Sequence, residues 1–280
     1  MANYNCGRYI KDCISSLRAQ TNDNWRCLIC DDGSKDDSIA VIERFLEDDR
    51  IKLIRSPQNL GCIAARKKLV DAAETSIVGI LDADDALYPD ATEEVLKIHA
   101  SKRCLTYSKY YVFDEKLENP IYEMGRRVPE GSTALIYGFV SHLVTFRRDD
   151  YYKTNGYDKS ILHAEDRDIV YKLEEVTELY FIDKVLYKYR LTPNSQSRGK
   201  ERCKIAELNH GRARRNALRR RNIRGLDLIL HNIMNEGLKL QTADSKTARL
   251  TGKYCFTIPR KIVRVMSLPS SKLHHHIIQR

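Results

Sequence analysis

Apolar positions along the first hundred residues alternate between two spacings. Residues 25–30 and 77–81 are almost continuously apolar, and residues 51–54 form a third short apolar run, as expected for strands buried on both faces. The helical spacing of three and four residues is found ahead of the first run, at Ile10, Cys13, Ile14 and Leu17. This alternation of strands and helices predicts an α/β fold whose mostly parallel sheet is flanked by helices.

Two of the predicted strands end in clusters of aspartates. Residues 25–30 lead into Asp31-Asp32-Gly33-Ser34, and residues 77–81 lead into Asp82-Ala83-Asp84-Asp85. Ligands of open α/β sheets bind at the carboxyl ends of the strands, so both clusters lie where a ligand site is expected. Clustered carboxylates repel one another, and a divalent cation that also binds substrate phosphates would relieve this repulsion. The second cluster therefore indicates a Mg²⁺ or Mn²⁺ site, although an acidic loop that caps a helix has the same pattern.

The pattern changes beyond residue 104, where strand-like and helical segments mix. A helix is predicted to begin near Glu165, and residues 179–182 and 185–189 have the pattern of two short strands. Eleven lysines and arginines but only two glutamates lie between residues 198 and 224, in a pattern typical of a helix. We therefore expect one domain over residues 1–198 and a mainly helical, basic carboxyl-terminal extension over residues 199–280.

The net charge, the cysteines and the lack of long apolar runs indicate which partners and which cellular compartment to expect. The formal net charge of +10 suits anionic partners, such as nucleotides, nucleic acid or an anionic membrane surface. Cys27 and Cys30 have CxxC spacing, but they lie in an apolar run without a second pair, so we interpret them as core residues. No apolar run is long enough to span a bilayer, and the polar amino terminus is not a signal peptide. These features predict a cytoplasmic protein that could contact the inner face of a membrane peripherally.

Short motifs in a fixed order along residues 1–198 are together more specific than any one of them. They are Asn3-Tyr4-Asn5, Gln20-Thr21, Asp31-Asp32-Gly33-Ser34, Asn59-Leu60-Gly61 with Ala65-Arg66, Asp82-Ala83-Asp84-Asp85, Asn155-Gly156-Tyr157-Asp158, Ala164-Glu165-Asp166, and residues 186–190 with Ser195 and Ser197. In this order they resemble the inverting glycosyltransferase family 2, which implies a Rossmann-like fold of the glycosyltransferase-A type. Only Met1 and Ala2 precede the first motif, so we expect a truncated first strand or a start that lies upstream.

The resemblance implies a nucleotide-sugar donor, with UDP as the expected carrier, and a hydroxyl of a glycan or lipid-linked acceptor. Such an activity suits the synthesis of surface polysaccharides of the cell envelope. It places Tyr4 and Asn5 at the start of the nucleotide pocket and gives Asp32 a hydrogen bond to the base. Arg66 matches a basic residue near the base or diphosphate, and Arg190 is a further candidate for the diphosphate.

The resemblance also implies a metal site and a catalytic base. Asp82, Asp84 and Asp85 match the motif that holds the ribose and the diphosphate-bound Mn²⁺ or Mg²⁺, with Asp84 the first choice for direct contact. Asp166, paired with Glu165, matches the carboxylate that takes the proton from the acceptor hydroxyl. A single displacement would then invert the anomeric centre.

Two other functions are compatible with parts of the sequence. A basic nucleic-acid-binding module would explain the net charge, but the chain contains no helix-turn-helix, zinc-finger or aromatic RNA-binding signature, and the aspartate clusters would have no role. A glycosyltransferase-like binding protein without activity would retain the fold, although Asp84 and Asp166 favour an enzyme. The arginine-rich segment could also contact anionic lipid.

Overall fold

The computed structural model describes residues 1–138, 140–193, 200–225 and 228, and its amino-terminal part forms a parallel sheet. The order of this three-stranded sheet is β1-β2-β3. Its strands are β1 (Ala2–Asn3), β2 (Cys27–Asp31) and β3 (Ile51–Arg55). The helices that alternate with them are α1 (Gly7–Arg18), α2 (Ser38–Glu43) and α3 (Cys62–Ala72). The predicted strand–helix alternation is confirmed here, and Cys27 and Cys30 are buried free thiols of β2.

The second sheet has six strands and is mixed. Its order is β4-β8-β6-β9-β5, and β7 pairs with β6 outside this path. The strands are β4 (Ile77–Gly79), β5 (Ala86–Leu87), β6 (Cys104–Phe113), β7 (Pro120–Met124), β8 (Thr145–Arg147) and β9 (Glu178–Arg190). Only β6 and β9 are parallel; the other pairs are antiparallel. The α/β fold is confirmed, but the expected parallel arrangement does not extend to this sheet, where the connection from β6 to β7 is too short for a parallel crossover.

Strand β9 replaces the two short strands that were predicted in this region. Residues 179–182 and 185–189 belong to one continuous strand rather than two. Ile182 pairs with Ser108 and Val185 with Lys109, so Asp183 and Lys184 are an insertion in β9 that bulges out of the register. Their exposed, charged side chains gave the sequence the pattern of a turn.

Helices pack on both faces of the sheets and enclose two apolar clusters. Strand β6 contributes to both, because Leu105 and Tyr107 belong to one cluster and Tyr110 and Val112 to the other. The remaining helices are α4 (Ala91–Ser101), α5 (Ala134–Tyr137), α6 (Arg148–Tyr152), α7 (Glu165–Glu174) and α8 (Lys200–Arg220). The predicted start of a helix near Glu165 is confirmed. No helix of the described residues has the length and apolar character to cross a membrane.

Helix α8 packs on the rest of the structure through α7. Its Ala213, Ala217 and Leu218 are buried in the same apolar cluster as Ile169 and Leu173 of α7. The helix is basic, as predicted, but part of its charge is internal. Both nitrogens Nε and Nη2 of Arg220 donate to Glu175, and the buried Arg221 donates to Glu174. The expected domain boundary at residue 198 and nearly all of the expected extension beyond residue 225 lie outside the described residues.

A buried histidine makes the stability of the second sheet depend on pH. His99 of α4 is 1% exposed, and its Nε2 lies 2.7 Å from Oγ1 of Thr145 on β8. Burial, assisted by the charge of Arg147, lowers the pKa of His99 from 6.5 to about 4. The unfolded chain therefore binds a proton at His99 more tightly than the folded protein does. The contribution of neutral His99 to the free energy of unfolding is complete above pH 6.5 and is lost as the pH falls towards 4.

We expect the difference in unfolding free energy between the wild type and His99→Gln to shrink by about 3 kcal/mol between pH 7 and pH 4. Glutamine does not titrate, whereas the protonated histidine of the wild type is destabilising in this site. Urea unfolding at several pH values measures the difference, in which the other titrating groups cancel. A difference that is constant over this range would contradict the prediction.

Candidate active site

The first acidic cluster forms a tight turn at the end of β2. The fully buried Asp31 accepts hydrogen bonds from Nδ2 of Asn3 (2.7 Å) and from Oγ of Ser34 (2.6 Å). The Ser34 hydroxyl in turn accepts the amide of Asn5 at 2.9 Å, and Oδ1 of Asn5 accepts the amide of Lys35 at 2.7 Å. Asn5 has a φ of +53°, a left-handed conformation that asparagine tolerates. These bonds hold the motif 3–5 against the turn 31–35 and leave the Tyr4 side chain exposed beside it.

Asp32 connects this turn to the loop before α3. Its carboxylate, 3% exposed, accepts the amides of Leu60 at 3.0 Å and Gly61 at 2.7 Å. Gly33 follows with a φ of +76°, and a Cβ at this position would lie 2.8 Å from the carbonyl carbon of Gln58. The motifs 31–34 and 59–61, separate in sequence, are therefore packed backbone to backbone. The structure uses part of the acceptor capacity of Asp32 for this purpose.

Arg66 lies between the second acidic cluster and the start of α7. Its Nη2 donates to Oδ1 of Asp82 at 2.8 Å, and its Nη1 lies 3.5 Å from Oε1 of Glu165. Burial raises the pKa of Asp82, but the charge of Arg66 and its hydrogen bond to Asp82 outweigh burial and lower it. Asp82 is therefore an anion in this site, and three residues of the predicted set are brought together.

Asp84 and Asp85 have different environments. Burial, followed by the charge of Asp82, raises the pKa of Asp84 to about 6, and its side chain stays partly exposed. Asp85 is 1% exposed, and its oxygens accept the hydroxyl of Tyr187 at 2.6 Å and the amide of Arg190 at 2.7 Å. Burial and the neighbouring aspartates raise the pKa of Asp85 well above its usual range. Asp84 is thus the more available carboxylate, and Asp85 ties the cluster to β9.

Arg190 is engaged inside the protein. Its guanidinium donates to the carbonyl of Asp84 at 2.6 Å, to the carbonyl of Glu115 at 2.7 Å and to the carboxylate of Asp12 at 2.8 Å. It also lies over the ring of Tyr9 and is 2% exposed. The sequence pattern suggested a diphosphate contact for Arg190, whereas its contacts fix the backbone of the aspartate cluster. No sequence motif includes Asp12 or Glu115, so their contacts with Arg190 could not be predicted.

The two carboxylates at the start of α7 differ in their exposure to solvent. Glu165 is buried beside Arg66, whereas Asp166 is exposed and accepts the amide of Arg167 at 2.8 Å. Asp166 is therefore accessible to a substrate hydroxyl, and Glu165 is not. Among the described residues, no group of three or more His, Cys, Asp or Glu side chains has the arrangement of a metal site.

His142 is an additional residue of the site. Its ring stacks on Tyr187 at a centroid distance of 4.6 Å and lies edge-on to Tyr110 at 4.7 Å. Asp82 and Asp166 both act on its charge, but burial dominates and lowers its pKa, so the ring is neutral. Its position in Ser141-His142-Leu143-Val144 favours a packed histidine over a residue of an acceptor pocket, and the ring contacts show the packed arrangement.

Comparison with known proteins identifies the family. A sequence model described as glycosyl transferase family 2 matches residues 1–160, more than half of the chain. The chain belongs to glycosyl transferase family 2. The family and the enzyme class that the ordered motifs implied are confirmed.

Relatives of this family 2 chain include bacterial polysaccharide synthases. Chondroitin synthase of Escherichia coli is 30% identical over 193 residues, which cover 66% of this chain and 27% of that protein. Hyaluronan synthase of Pasteurella multocida is 31% identical over 189 residues, which cover 66% of this chain and 19% of that protein. The chain thus spans about a quarter or less of the length of these relatives.

Solved structures of glycosyltransferases share the fold. S. aureus TarS in complex with UDP-GlcNAc aligns with a TM-score of 0.59 and 15% identity, over 98% of this chain and 90% of that one. The mannosyltransferase PcManGT of Pyrobaculum calidifontis, in complex with GDP-Man and Mn²⁺, aligns with a TM-score of 0.54 and 13% identity, over 99% and 78%. These neighbours confirm the glycosyltransferase-A fold.

Two glycines with positive φ provide a test of the packing at Asp32. We expect Gly33→Ala to lower the unfolding free energy by about 1–3 kcal/mol more than Gly61→Ala does. Both substitutions strain a left-handed residue, but only a Cβ at Gly33 meets backbone, whereas nothing lies within 4 Å of one at Gly61. Denaturant unfolding of the two variants measures this difference. Equal losses would mean that the two turns are not in close contact.

Proposed function

We propose that the protein is an inverting glycosyltransferase that moves a sugar from a UDP-sugar to a hydroxyl of a glycan or lipid-linked acceptor. The observation that carries the proposal is the convergence of two carboxylate motifs on one largely buried cation, Arg66, which joins Asp82, after β4, to Glu165, at the start of α7. In a family 2 chain, this arrangement supplies a donor site on one side and an exposed carboxylate, Asp166, on the other.

The proposed nucleotide pocket lies along the first acidic turn. Tyr4 presents an exposed ring that could cover the base, and Asn5 shapes the backbone beside it. Asp32 keeps acceptor capacity beyond its two amide bonds, because a carboxylate offers about four lone-pair sites. Two observations support a UDP carrier: the position of Asp32, and the complex of the fold neighbour TarS with UDP-GlcNAc. The neighbour PcManGT is in complex with GDP-Man, so the base is the first variable in the experiment below.

The residues present fit a divalent cation at Asp84. This carboxylate is partly exposed, and its pKa is raised by burial and by the charge of Asp82, so a cation there would relieve an existing repulsion. Carboxylates together with substrate phosphates are the ligands that Mg²⁺ and Mn²⁺ favour. We assign the cation to Asp84, with Asp82 beside it, and give Asp85 a positioning role because both of its oxygens are engaged. When bound, the cation would offset the charge that develops on the leaving diphosphate.

The proposed base is Asp166. Its exposed carboxylate at the start of α7 can accept the proton of an acceptor hydroxyl as that oxygen attacks the anomeric carbon. Glu165 holds Arg66 in place instead, since it is buried beside that guanidinium. Attack on the face opposite the leaving UDP inverts the anomeric configuration in one step.

Peripheral contact with the inner face of an anionic membrane is part of the proposal. Arg212 and Arg215 are exposed on α8, and each basic residue near such a surface contributes about 1 kcal/mol. This location would suit a lipid-linked acceptor.

We expect metal-dependent release of UDP from a UDP-sugar by the wild type, reduced at least ~100-fold in Asp84→Asn. The variant removes the charge that holds the cation. The measurement is a screen of UDP-, GDP- and dTDP-sugars with Mn²⁺, Mg²⁺ or EDTA. Asp149→Asn, which changes an exposed aspartate of α6, is the matched control and should retain full activity. Absence of release from every donor would overturn the proposed function.

Substitutions at the start of α7 separate the base from its neighbour. We expect Asp166→Asn to lower kcat by about 10²–10⁴ while the KM for the donor stays near the wild-type value, because only proton transfer is lost. Glu165→Gln should instead raise the donor KM, since Arg66 loses one of its two anionic partners. Steady-state kinetics of both variants tests the assignment, and the opposite pattern of kcat and KM effects would reverse the two roles.

A further inference from the structure

A cationic cavity of about 610 Å³ lies beside the carboxyl-terminal half of α7, between α3, the loop 155–159, α7 and α8. Two asparagines, one tyrosine, one carboxylate and five cations line it. The charged members are Lys67, Lys159, Lys172, Arg219, Arg220 and Asp158. The cavity is distinct from the donor side of the site, because none of the aspartates at 31–32 or 82–85 lines it.

Three of the five cations already have carboxylate partners. Lys67 pairs with Asp71, the buried Lys172 lies 2.6 Å from Asp168, and Arg220 binds Glu175 through two nitrogens. Lys159 and Arg219 are exposed, and no ion pair with another described residue involves either of them. The one carboxylate of the lining, Asp158, accepts the amide and the hydroxyl of Ser160. The cavity therefore has an excess of positive charge that an oxyanion would neutralise.

One face of α7 connects the cavity with the candidate active site. Glu165, Asp168, Lys172 and Glu175 follow each other at intervals of three and four residues, from the Arg66 contact to the cavity wall. Glu165 and Lys172 are separated by seven residues, or about 10 Å along the helix. Tyr157 lines the cavity, and its buried hydroxyl is sensitive to the charges of Arg66 and Glu165. The cavity and the candidate active site therefore share α7 as a common wall.

We propose that this cavity binds an acidic group, a carboxylate or phosphate, carried by an acceptor glycan. This inference rests on the proposed function, because it makes the cavity an acceptor subsite of the same site. A cavity of this volume has room for one charged group of a flexible chain. Lys159 and Arg219 are the residues that contact the acidic group, and the paired cations supply the background field.

The experiment measures binding of a fluorescent hexagalacturonate to the full chain by anisotropy, with neutral maltohexaose as the reference glycan. We expect the double variant Lys159→Gln and Arg219→Gln to bind the oligouronate at least ~10-fold more weakly, and pyrophosphate to compete in the wild type. The matched control, Lys52→Gln with Lys97→Gln, removes two exposed charges on β3 and α4 and should bind like the wild type. Lys159→Arg with Arg219→Lys keeps both charges and should restore most of the affinity.

Several results would overturn this inference. They are equal binding by the double variant and the wild type, an equal loss in the control variant, and equal affinity for maltohexaose. Loss of binding to anionic vesicles without loss of oligouronate binding would show that these cations serve a membrane instead. UDP release without acceptor is measured on the same proteins. If that release is absent while oligouronate binding follows the predicted pattern, the proposed function fails and the cavity assignment stands as an anionic-glycan site.

Discussion

The ion pairs of Arg66 are the interaction on which the site depends. The guanidinium connects Asp82, at the end of the β4 segment, with Glu165, at the start of α7, although these residues are 83 positions apart in the sequence. Removing either carboxylate leaves the largely buried guanidinium with only one of its two anionic partners. The same contact keeps Asp82 ionised next to Asp84. The donor side and the base side of the proposed reaction are thus held by a single side chain.

A second set of buried contacts sets the position of the aspartate cluster. Arg190 binds the backbone of Asp84, and Asp85 binds both the amide of Arg190 and the hydroxyl of Tyr187. The cluster is thereby fixed to β9, which lies between β6 and β5 in the mixed sheet, and through Asp12 to α1. One aspartate of the motif stabilises the loop while its neighbour remains available for a ligand. The ion pair of Asp82 and the internal hydrogen bonds of Asp85 explain how three carboxylates of one loop can lie close together in a partly buried site.

The local parts of this architecture could be predicted from the sequence. Continuous apolar runs located the strands, the aspartates at their ends located the ligand side, and the resemblance to the family 2 motifs singled out Glu165 and Asp166. Long-range pairing could not be predicted, because hydrophobic periodicity does not record which strands meet. For this reason the antiparallel strand β8, the bulge in β9 and the engagement of Arg190 and Asp85 were missed. The cationic cavity also depends on residues from three helices and a loop that only the fold brings together.

The central claim is that the carboxyl ends of the strands form a metal-dependent site for a nucleoside diphosphate. The most direct test is calorimetric titration of UDP into the wild-type protein in Mn²⁺ and, separately, in EDTA. The account predicts that UDP binds at least about tenfold more tightly with Mn²⁺, because the cation joins the diphosphate to Asp84. Equal affinities under the two conditions, or no binding under either, would contradict it.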